Sequence, residues 1–357
     1  MQLGLSEPLA GLVARRFVAA KEGNHLVFSS THLSIITAAG IPYQLRYCPA
    51  LAKKPINLQP AESGPKAPKP DPFENPSPDL LLAHFPPTNP THALVLNKFP
   101  VIPNHFILAT QDWKAQTDLL EPADLEATYE CLRAWATSPS SSSSSSSPNK
   151  SIKPRLFAFF NSGDDSGASQ PHRHLQFLPV EAMHRPDPEH PWTPLIDHFA
   201  SLPHSPSSFQ TLPALPFAHF ALPLPPNPSP QTLFAIYTSL YHAAVAAARG
   251  LDPTLADSAG HPTSGPAAIS YNLAMTTSTM LICPRRQENA TVSVDLAAAG
   301  DVADPGVVSL NGTILAGTLM VKAEAEYDAL RNKPGALERV LRDVGFPKGD
   351  ERGTSVL

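Results

Sequence analysis

The sequence predicts an α+β fold: an antiparallel sheet with helices set apart from its strands. Two patterns predict it. Short, mostly apolar runs are bounded by polar and turn-forming residues, as at 92–97 and 105–110 on either side of 100–104. Apolar residues at helical spacing occupy a few well-separated segments that do not alternate one for one with strands, which argues against repeated βαβ units.

In chain order, residues 6–21 form an amphipathic helix, and 26–29 and 40–47 are strands, the second leading to Lys53 and Lys54. Residues 61–90 carry many Pro, Asn and Asp residues and are expected to be a long loop. The runs 92–97 and 105–110 make a hairpin. A helix over 124–137 has an acidic start, then Leu125, Tyr129, Leu132 and Trp135 at helical spacing. The Ser-rich connector 138–150 has no apolar side chain through Asn149 and is expected to be disordered. Residues 155–160 are an apolar and aromatic strand. The Pro- and His-rich stretch 183–228 is expected to wrap the surface, with His184, His190, His198, His204 and His219 as surface or loop residues. A helix over 231–249 is ended by Gly250. Strands follow at 267–282, 291–296 and 307–321, and helices at 323–332 and 335–344 close the chain.

Composition narrows the function. At 357 residues the chain can bury a sizeable core, and a net charge of −5 without a basic face argues against nucleic-acid binding. The 42 prolines, about twice the ~5 % of average usage, cluster at 55–90, 139–148 and 186–228 and mark loops. Cys48, Cys131 and Cys283 are widely spaced, so neither a disulfide framework nor a Cys-based zinc site is expected. With no basic-then-apolar N-terminal segment and no 18-residue apolar run, a soluble protein with no membrane partner is expected, cytoplasmic or also nuclear.

The chemistry concentrates at His172, His174 and Gln176. Side chains on a strand alternate in direction, so these three share one face while Arg173, Leu175 and Phe177 share the other. The run from Asn161, Ser162 and Gly163 through Ser166, Gly167, Ala168, Ser169 and Gln170 feeds into this face. Its small residues suit close approach of the backbone to an anion. A phosphate chain held before a histidine nucleophile is one reading. A metal shared by two histidines, and two ordinary histidines among fourteen, are the others.

With its preceding loop, His172-x-His174-x-Gln176 resembles the active-site signature of the histidine triad superfamily, in the nucleotidyltransferase branch where Gln replaces the third His. The segment Leu96-Asn97-Lys98-Phe99-Pro100-Val101-Ile102-Pro103-Asn104-His105-Phe106 is similar to the substrate hairpin of that superfamily. Gly40 to Arg46 with Lys53-Lys54-Pro55, and Ser270-Tyr271-Asn272 with Pro284-Arg285-Arg286, resemble the fungal diadenosine tetraphosphate phosphorylases.

The resemblance implies a histidine-triad-like antiparallel sheet in two related halves: a catalytic region over 1–225 and a region over 226–357 that completes the nucleotide pocket. It implies cleavage of diadenosine polyphosphates by inorganic phosphate, giving ATP and ADP through an adenylyl-histidine. His174 is the implied nucleophile, with a backbone carbonyl near His172 as its acceptor. Gln176 holds the phosphoryl oxygens. Asn161, Ser162, Gly163, Gly167, Ala168, Ser169 and Gln170 hold the polyphosphate, and Lys53, Lys54, Asn97 and Lys98 supply charge and contacts. Asn272, Thr276, Thr277 and Arg285 are the implied contacts from the second region. Thr277-Ser278-Thr279 departs from the bulkier or charged residues of relatives, and Asp164-Asp165 in the phosphate loop is unexpected. No covalent cofactor and no protein-held metal is implied; a divalent cation, Mg2+ or Mn2+, accompanies the polyphosphate. The alternative readings are an ADP-forming sulfate adenylyltransferase acting on adenylyl sulfate, a hexose-1-phosphate uridylyltransferase, and a non-catalytic nucleotide-binding protein. Both monomer and homo-oligomer are left open.

Overall fold

The computed structural model describes residues 3–53, 70–138, 154–184, 191–203, 208–255, 262–294 and 305–348. Lys54 and residues 139–150 of the Ser-rich connector lie outside the described residues, as do His190 and His204.

Helix α1 (Leu9–Glu22) opens the chain, followed by β1 (His32–Ala38) and β2 (Ile41–Tyr47). Ala39 and Gly40, both at positive φ, turn the chain between these two strands. Next come β3 (Leu81–Phe85), β4 (His92–Leu96), β5 (Phe106–Thr110), α2 (Pro122–Ala136), β6 (Leu156–Ser162) and β7 (His174–Pro179). The short helices α3 (Val180–Met183) and α4 (Asp197–Ala200) precede β8 (Phe220–Pro223) and the long α5 (Pro230–Arg249). The chain then forms β9 (Tyr271–Met275), β10 (Thr279–Pro284), β11 (Asn289–Thr291), β12 (Val307–Ser309) and β13 (Thr318–Val321), and ends in α6 (Glu324–Asn332) and α7 (Ala336–Val344).

Eight strands form one sheet in the order β3-β4-β5-β7-β6-β9-β10-β8, with every neighbouring pair antiparallel. The two regions therefore share a sheet: β6 pairs with β9, and β8, just before residue 225, pairs with β10. One face packs on α1, α2 and α5 through Leu132, Trp135, Phe177, Tyr237 and Leu240. The other carries Phe157, Phe159 and Leu178, covered by residues of β2, β13, α6 and α7 such as Leu45, Leu319, Leu330 and Leu341. Helix α2 begins with a reciprocal cap between Glu121 and Asp124, and Ser229 caps α5.

Several expectations are corrected. Residues 26–29 form no strand, although Val27 N and Ser29 N donate to the carbonyls of Lys98 and Pro100. β1 is a strand without a clear sequence signal, since the alternation of polar and apolar residues in its run HLSIITA breaks at Ile35 and Ile36. The expected loop 61–90 contains β3, whose apolar residues are hidden among flanking prolines. The stretch 183–228 does not simply wrap the surface: Trp192, Leu195, Ile196, Phe199, Leu215 and Phe217 are buried in the second core. His219 is buried too. Its Nδ1 donates to Phe217 O and its Nε2 accepts from Leu212 N, and burial pushes its pKa down to about 4. The expected strand 267–282 is two strands that turn at 276–278, where neither Gly nor Pro marks the turn. The expected strand 307–321 is broken by a 3-10 turn at Gly312–Ala316, capped by Asn311 and released by left-handed Gly317.

Candidate active site

β7 carries the central residues at a point where only one of its two neighbours still pairs with it. β5 pairs with it as far as Ala109 opposite His174, whereas β6 stops at Phe159 opposite Gln176. The missing pairing leaves room for the loop from Gly163 to Pro171. Gly163 (φ +88°) and Gly167 (φ +76°) turn that loop in the left-handed region. A Cβ at Gly163 would stand 2.9 Å from Ser270 Cα, and one at Gly167 would stand 2.9 Å from Leu310 O. The second region thus presses directly on the loop. Ala168 and Ser169 are exposed at its tip and Gln170 is half-buried.

His174 is 2 % exposed, and its Nδ1 lies 2.9 Å from the carbonyl oxygen of His172. A carbonyl only accepts, so Nδ1 carries the hydrogen and Nε2 carries the lone pair. Burial pushes the pKa of His174 down to about 4; the His172 carbonyl pulls the other way but loses to desolvation. His174 is therefore a neutral imidazole at pH 7.

His172 is held at both ring nitrogens: Nδ1 lies 2.6 Å from Asp71 Oδ2, and Nε2 lies 2.9 Å from Thr110 Oγ1. Phe73 covers both imidazoles, 5.8 Å from His172 edge-on and 5.1 Å from His174 between ring centroids. Phe73 also packs on Ile107 and Ala109. Gln176 Oε1 stands 3.1 Å from His105 Nε2, and His105 Nδ1 accepts from Asn97 Nδ2 at 2.9 Å. Lys98 is exposed, with Nζ 5.8 Å from the Phe99 ring centroid. Lys53 ends the 3-10 turn Pro49–Lys53.

Behind the strand, Arg173 is buried. Its Nη1 donates to Glu121 Oε1 and Asp124 Oδ2, both at 2.9 Å, and Asp124 Oδ1 pairs with His92 Nε2 at 2.9 Å.

The expected contacts divide in three ways. Asn161 sits beneath the loop: Oδ1 accepts from Asn272 Nδ2 (3.0 Å) and Gly312 N (2.9 Å), and its Nδ2 donates to Gly167 O (3.4 Å). Asn272 is fully buried. It donates to Ser166 O at 2.9 Å and accepts from Arg285, whose other guanidinium nitrogen donates to the carbonyls of Gln287, Glu288 and Leu310. Asn272 and Arg285, expected as substrate contacts, brace the loop from behind through these bonds. Burial holds the Arg285 pKa below its ordinary value. Ser162 points with Phe160 to the helix-covered face, because strand alternation sends it away from Asn161. Thr276 and Thr277 follow Met275, which pairs with Ala158, at the far end of β9 from Asn272. Four or five residues at ~3.3 Å each separate them from Asn272, so the structure does not bring them to the histidines. Asp165 Oδ2 accepts from Ser270 Oγ at 3.2 Å, while Asp164 is exposed.

Sequence reasoning missed Asp71, Phe73, Thr110 and Gln116 at this site. All four approach from segments remote in sequence. His105 was quoted only within its hairpin, although as a polar residue starting an apolar strand it offered a signal. Among the described residues no group of three or more His, Cys, Asp and Glu side chains could hold a metal ion, and no helix is long and apolar enough to cross a membrane. A cavity of about 570 Å³ near Phe209, His219 and Leu251 contains none of these site residues.

An antiparallel sheet bearing a neutral, carbonyl-braced imidazole beside a glycine-turned loop fits a nucleotidyl-transferring enzyme of the histidine triad kind. The chain belongs to the Ap4A phosphorylase family: the Ap4A phosphorylase N-terminal domain matches residues 5–137 and 153–198, and the ATP adenylyltransferase C-terminal domain matches 213–347. It is 27% identical to diadenosine 5',5'''-P1,P4-tetraphosphate phosphorylase 2 of Saccharomyces cerevisiae over 359 residues, covering 96% of each chain. It is 26% identical to Protein APA1 of the same yeast, covering 97% of this chain and 96% of that one. The crystal structure of yeast Ap4A phosphorylase Apa2 in complex with Ap4A superposes with a TM-score of 0.72 at 25% identity, covering 96% of this chain and 99% of that one. The complex of Apa2 with AMP gives 0.71.

Proposed function

We infer that this protein is a diadenosine tetraphosphate phosphorylase, splitting Ap4A with inorganic phosphate into ATP and ADP. Family membership over nearly the whole chain supports the activity. The observation that carries the route is the bond from His174 Nδ1 to the His172 carbonyl.

With its lone pair on Nε2, His174 attacks an α-phosphorus of Ap4A. The N–P bond forms as the bond to the bridging oxygen breaks, and ATP leaves with that electron pair. Positive charge on the adenylyl-imidazolium is stabilised by the carbonyl at Nδ1. Phosphate then attacks the same phosphorus from the vacated side, the N–P bond breaks, ADP leaves and neutral His174 is restored. Gln176 donates from Nε2 to the phosphoryl oxygens, and the amides around Gly167, Ala168 and Ser169 hold the chain of phosphates. Asn161, Asn272 and Arg285 keep that loop in shape. Lys53, Lys54 and Lys98 supply positive charge to the polyphosphate, and Asn97 acts through His105. Mg2+ or Mn2+ enters with the substrate as its counter-ion, and omission of metal with chelator tests this.

We place the protein in the cytoplasm, with the nucleus as a second compartment; Cys48, Cys131 and Cys283, all unpaired and buried, support a reducing environment. The deciding experiment incubates the protein with Ap4A with and without phosphate. ATP and ADP in equal amounts, formed only with phosphate, are expected; AMP and ATP in both arms would make it a hydrolase. Adenylyl sulfate offered in place of Ap4A tests the second activity.

A further inference from the structure

Gln116 lies outside every motif, yet it sits in the gap between the two strands that meet at the nucleophile. The β6–β7 ladder ends with Phe159 opposite Gln176. Two residues further along, the register would bring Asn161 opposite His174. In place of that pair stands the carboxamide of Gln116, 2 % exposed. Its Oε1 accepts from His174 N at 2.7 Å, and its Nε2 donates to Asn161 O at 2.7 Å and to His174 O at 3.2 Å. The side chain replaces the missing ladder bonds on both strands. Its own backbone is anchored to the same segment. Gln116 N donates to Pro171 O and Arg173 N donates to Lys114 O, both at 2.8 Å, while Ala115 bridges His172.

This arrangement solves a specific problem. The phosphate loop needs β6 and β7 to part, and parted strands leave the amide and carbonyl of His174 without sheet partners in a buried place. Unpaired, those groups would admit water or rotate. The His174 imidazole is braced by the carbonyl of His172, two residues away, so rotation of either intervening peptide would break that brace.

We propose that Gln116 is a positioning residue for the adenylyl-transfer step: it splices the parted strands at the nucleophile and holds the His174 backbone where its Nε2 meets the α-phosphorus in line. The inference rests on His174 as nucleophile, and it assigns Gln116 no contact with substrate. A displacement on the order of 1 Å at a reacting group costs roughly 100-fold in rate, so the effect falls on the chemical step and spares nucleotide affinity.

The test uses Gln116→Leu, which keeps the volume and removes all three bonds, and Gln116→Glu, which keeps the acceptor for His174 N and removes both donations. Adenylyl-enzyme formation is measured by rapid quench with radiolabelled Ap4A, AMP affinity by calorimetry, and folding by thermal melting. Slowing of adenylylation by about 10- to 100-fold, with AMP affinity within about threefold, is the expected result for both variants. A merely structural role would leave the rate per folded molecule unchanged. Adenylylation within about threefold of wild type, or a loss matched by weakened AMP binding, overturns the proposal. Should Gln116→Leu fail to fold, Gln116→Glu decides by the same criteria. Wild-type enzyme that forms no adenylyl-histidine overturns the nucleophile reading instead, so the two failures are distinguishable.

Discussion

His105 Nε2 stands 3.1 Å from Gln176 Oε1, and this contact determines which way the Gln176 amide faces. The orientation can be followed back to the backbone. Phe99 N donates to Asn97 Oδ1 at 2.9 Å, so Asn97 turns its Nδ2 to His105 Nδ1. His105 then carries its hydrogen on Nε2 and gives it to Gln176 Oε1, leaving Gln176 Nε2 as the donor for a phosphoryl group. Asn97 thus acts on the site at second hand.

Gln176→Glu places an acceptor where a donor is needed. Loss of one such transition-state donor costs about 10²–10³ in kcat, and steady-state phosphorolysis should fall by that factor. Gln176→His restores a donor able to move a proton, and is expected to slow phosphorolysis and raise the share of AMP among the products. ATP and ADP alone at wild-type rate would place acceptor choice elsewhere.

His174→Ala removes the nucleophile and leaves the phosphate loop and its braces untouched. Turnover should be lost while AMP binding by calorimetry survives. Retention of more than about one per cent of wild-type rate would exclude the covalent route, since no other group replaces the nucleophile.

The pKa of His174, pushed down to about 4 by burial, sets a pH dependence. The free enzyme keeps the nucleophile neutral well below pH 6.5, so adenylylation by Ap4A should show no loss at the ordinary histidine range, only near pH 4. For stability the sign is the same. The unfolded chain takes up this proton near ~6.5 and the folded one near 4, so the contribution is present above the first value and declines as pH falls between them. Phe73→Ala uncovers the ring and should move the acid limb of the adenylylation rate upward; an unmoved limb would show that Phe73 does not supply the burial.

Arg173 faces away from the site and pairs with Asp124, which is 1 % exposed. Burial pushes the Asp124 carboxyl pKa up, but the His92 hydrogen bond and the Arg173 charge outweigh it and hold the pKa below the usual value. Arg173→Ala leaves Asp124 and His92 without their cation, and removing one partner of a buried pair costs about 3–5 kcal/mol, readable as a lower denaturation midpoint. The Asp124 contribution is present above the unfolded carboxylate pKa and lost as pH falls through the lower folded value. Arg173→Met, which is also uncharged but fills the space, separates charge from volume.

Deletion of residues 140–147 should change melting temperature and kcat little. Closure entropy varies slowly with loop length, by ~0.6 kcal/mol per doubling. A substantial loss of either would reveal a role for this connector.

The candidate catalytic face was legible because it is local. Strand alternation alone places His172, His174 and Gln176 on one side and Arg173 on the other, and the glycines at 163 and 167 announce the loop that precedes them. The hairpin around 100–104 and the helices over 124–137 and 231–249 were legible for the same reason, since their periodicity and end signals lie within a few residues of each other. What surrounds the histidines was decided only in three dimensions. Asp71 and Phe73 reach them from a segment that reads as a proline-rich loop, 101 residues before His172 in the case of Asp71. Gln116 reads as an unremarked polar residue, and becomes a ladder partner only because β6 and β7 part. Ser162, Thr276 and Thr277 carry the right chemistry, but strand direction and register send them elsewhere. Sequence determined which groups could react, because reactivity and alternation belong to the chain. Which of them meet, and how dry they are, belongs to long-range packing, because burial and hydrogen-bond partnership depend on what other segments bring.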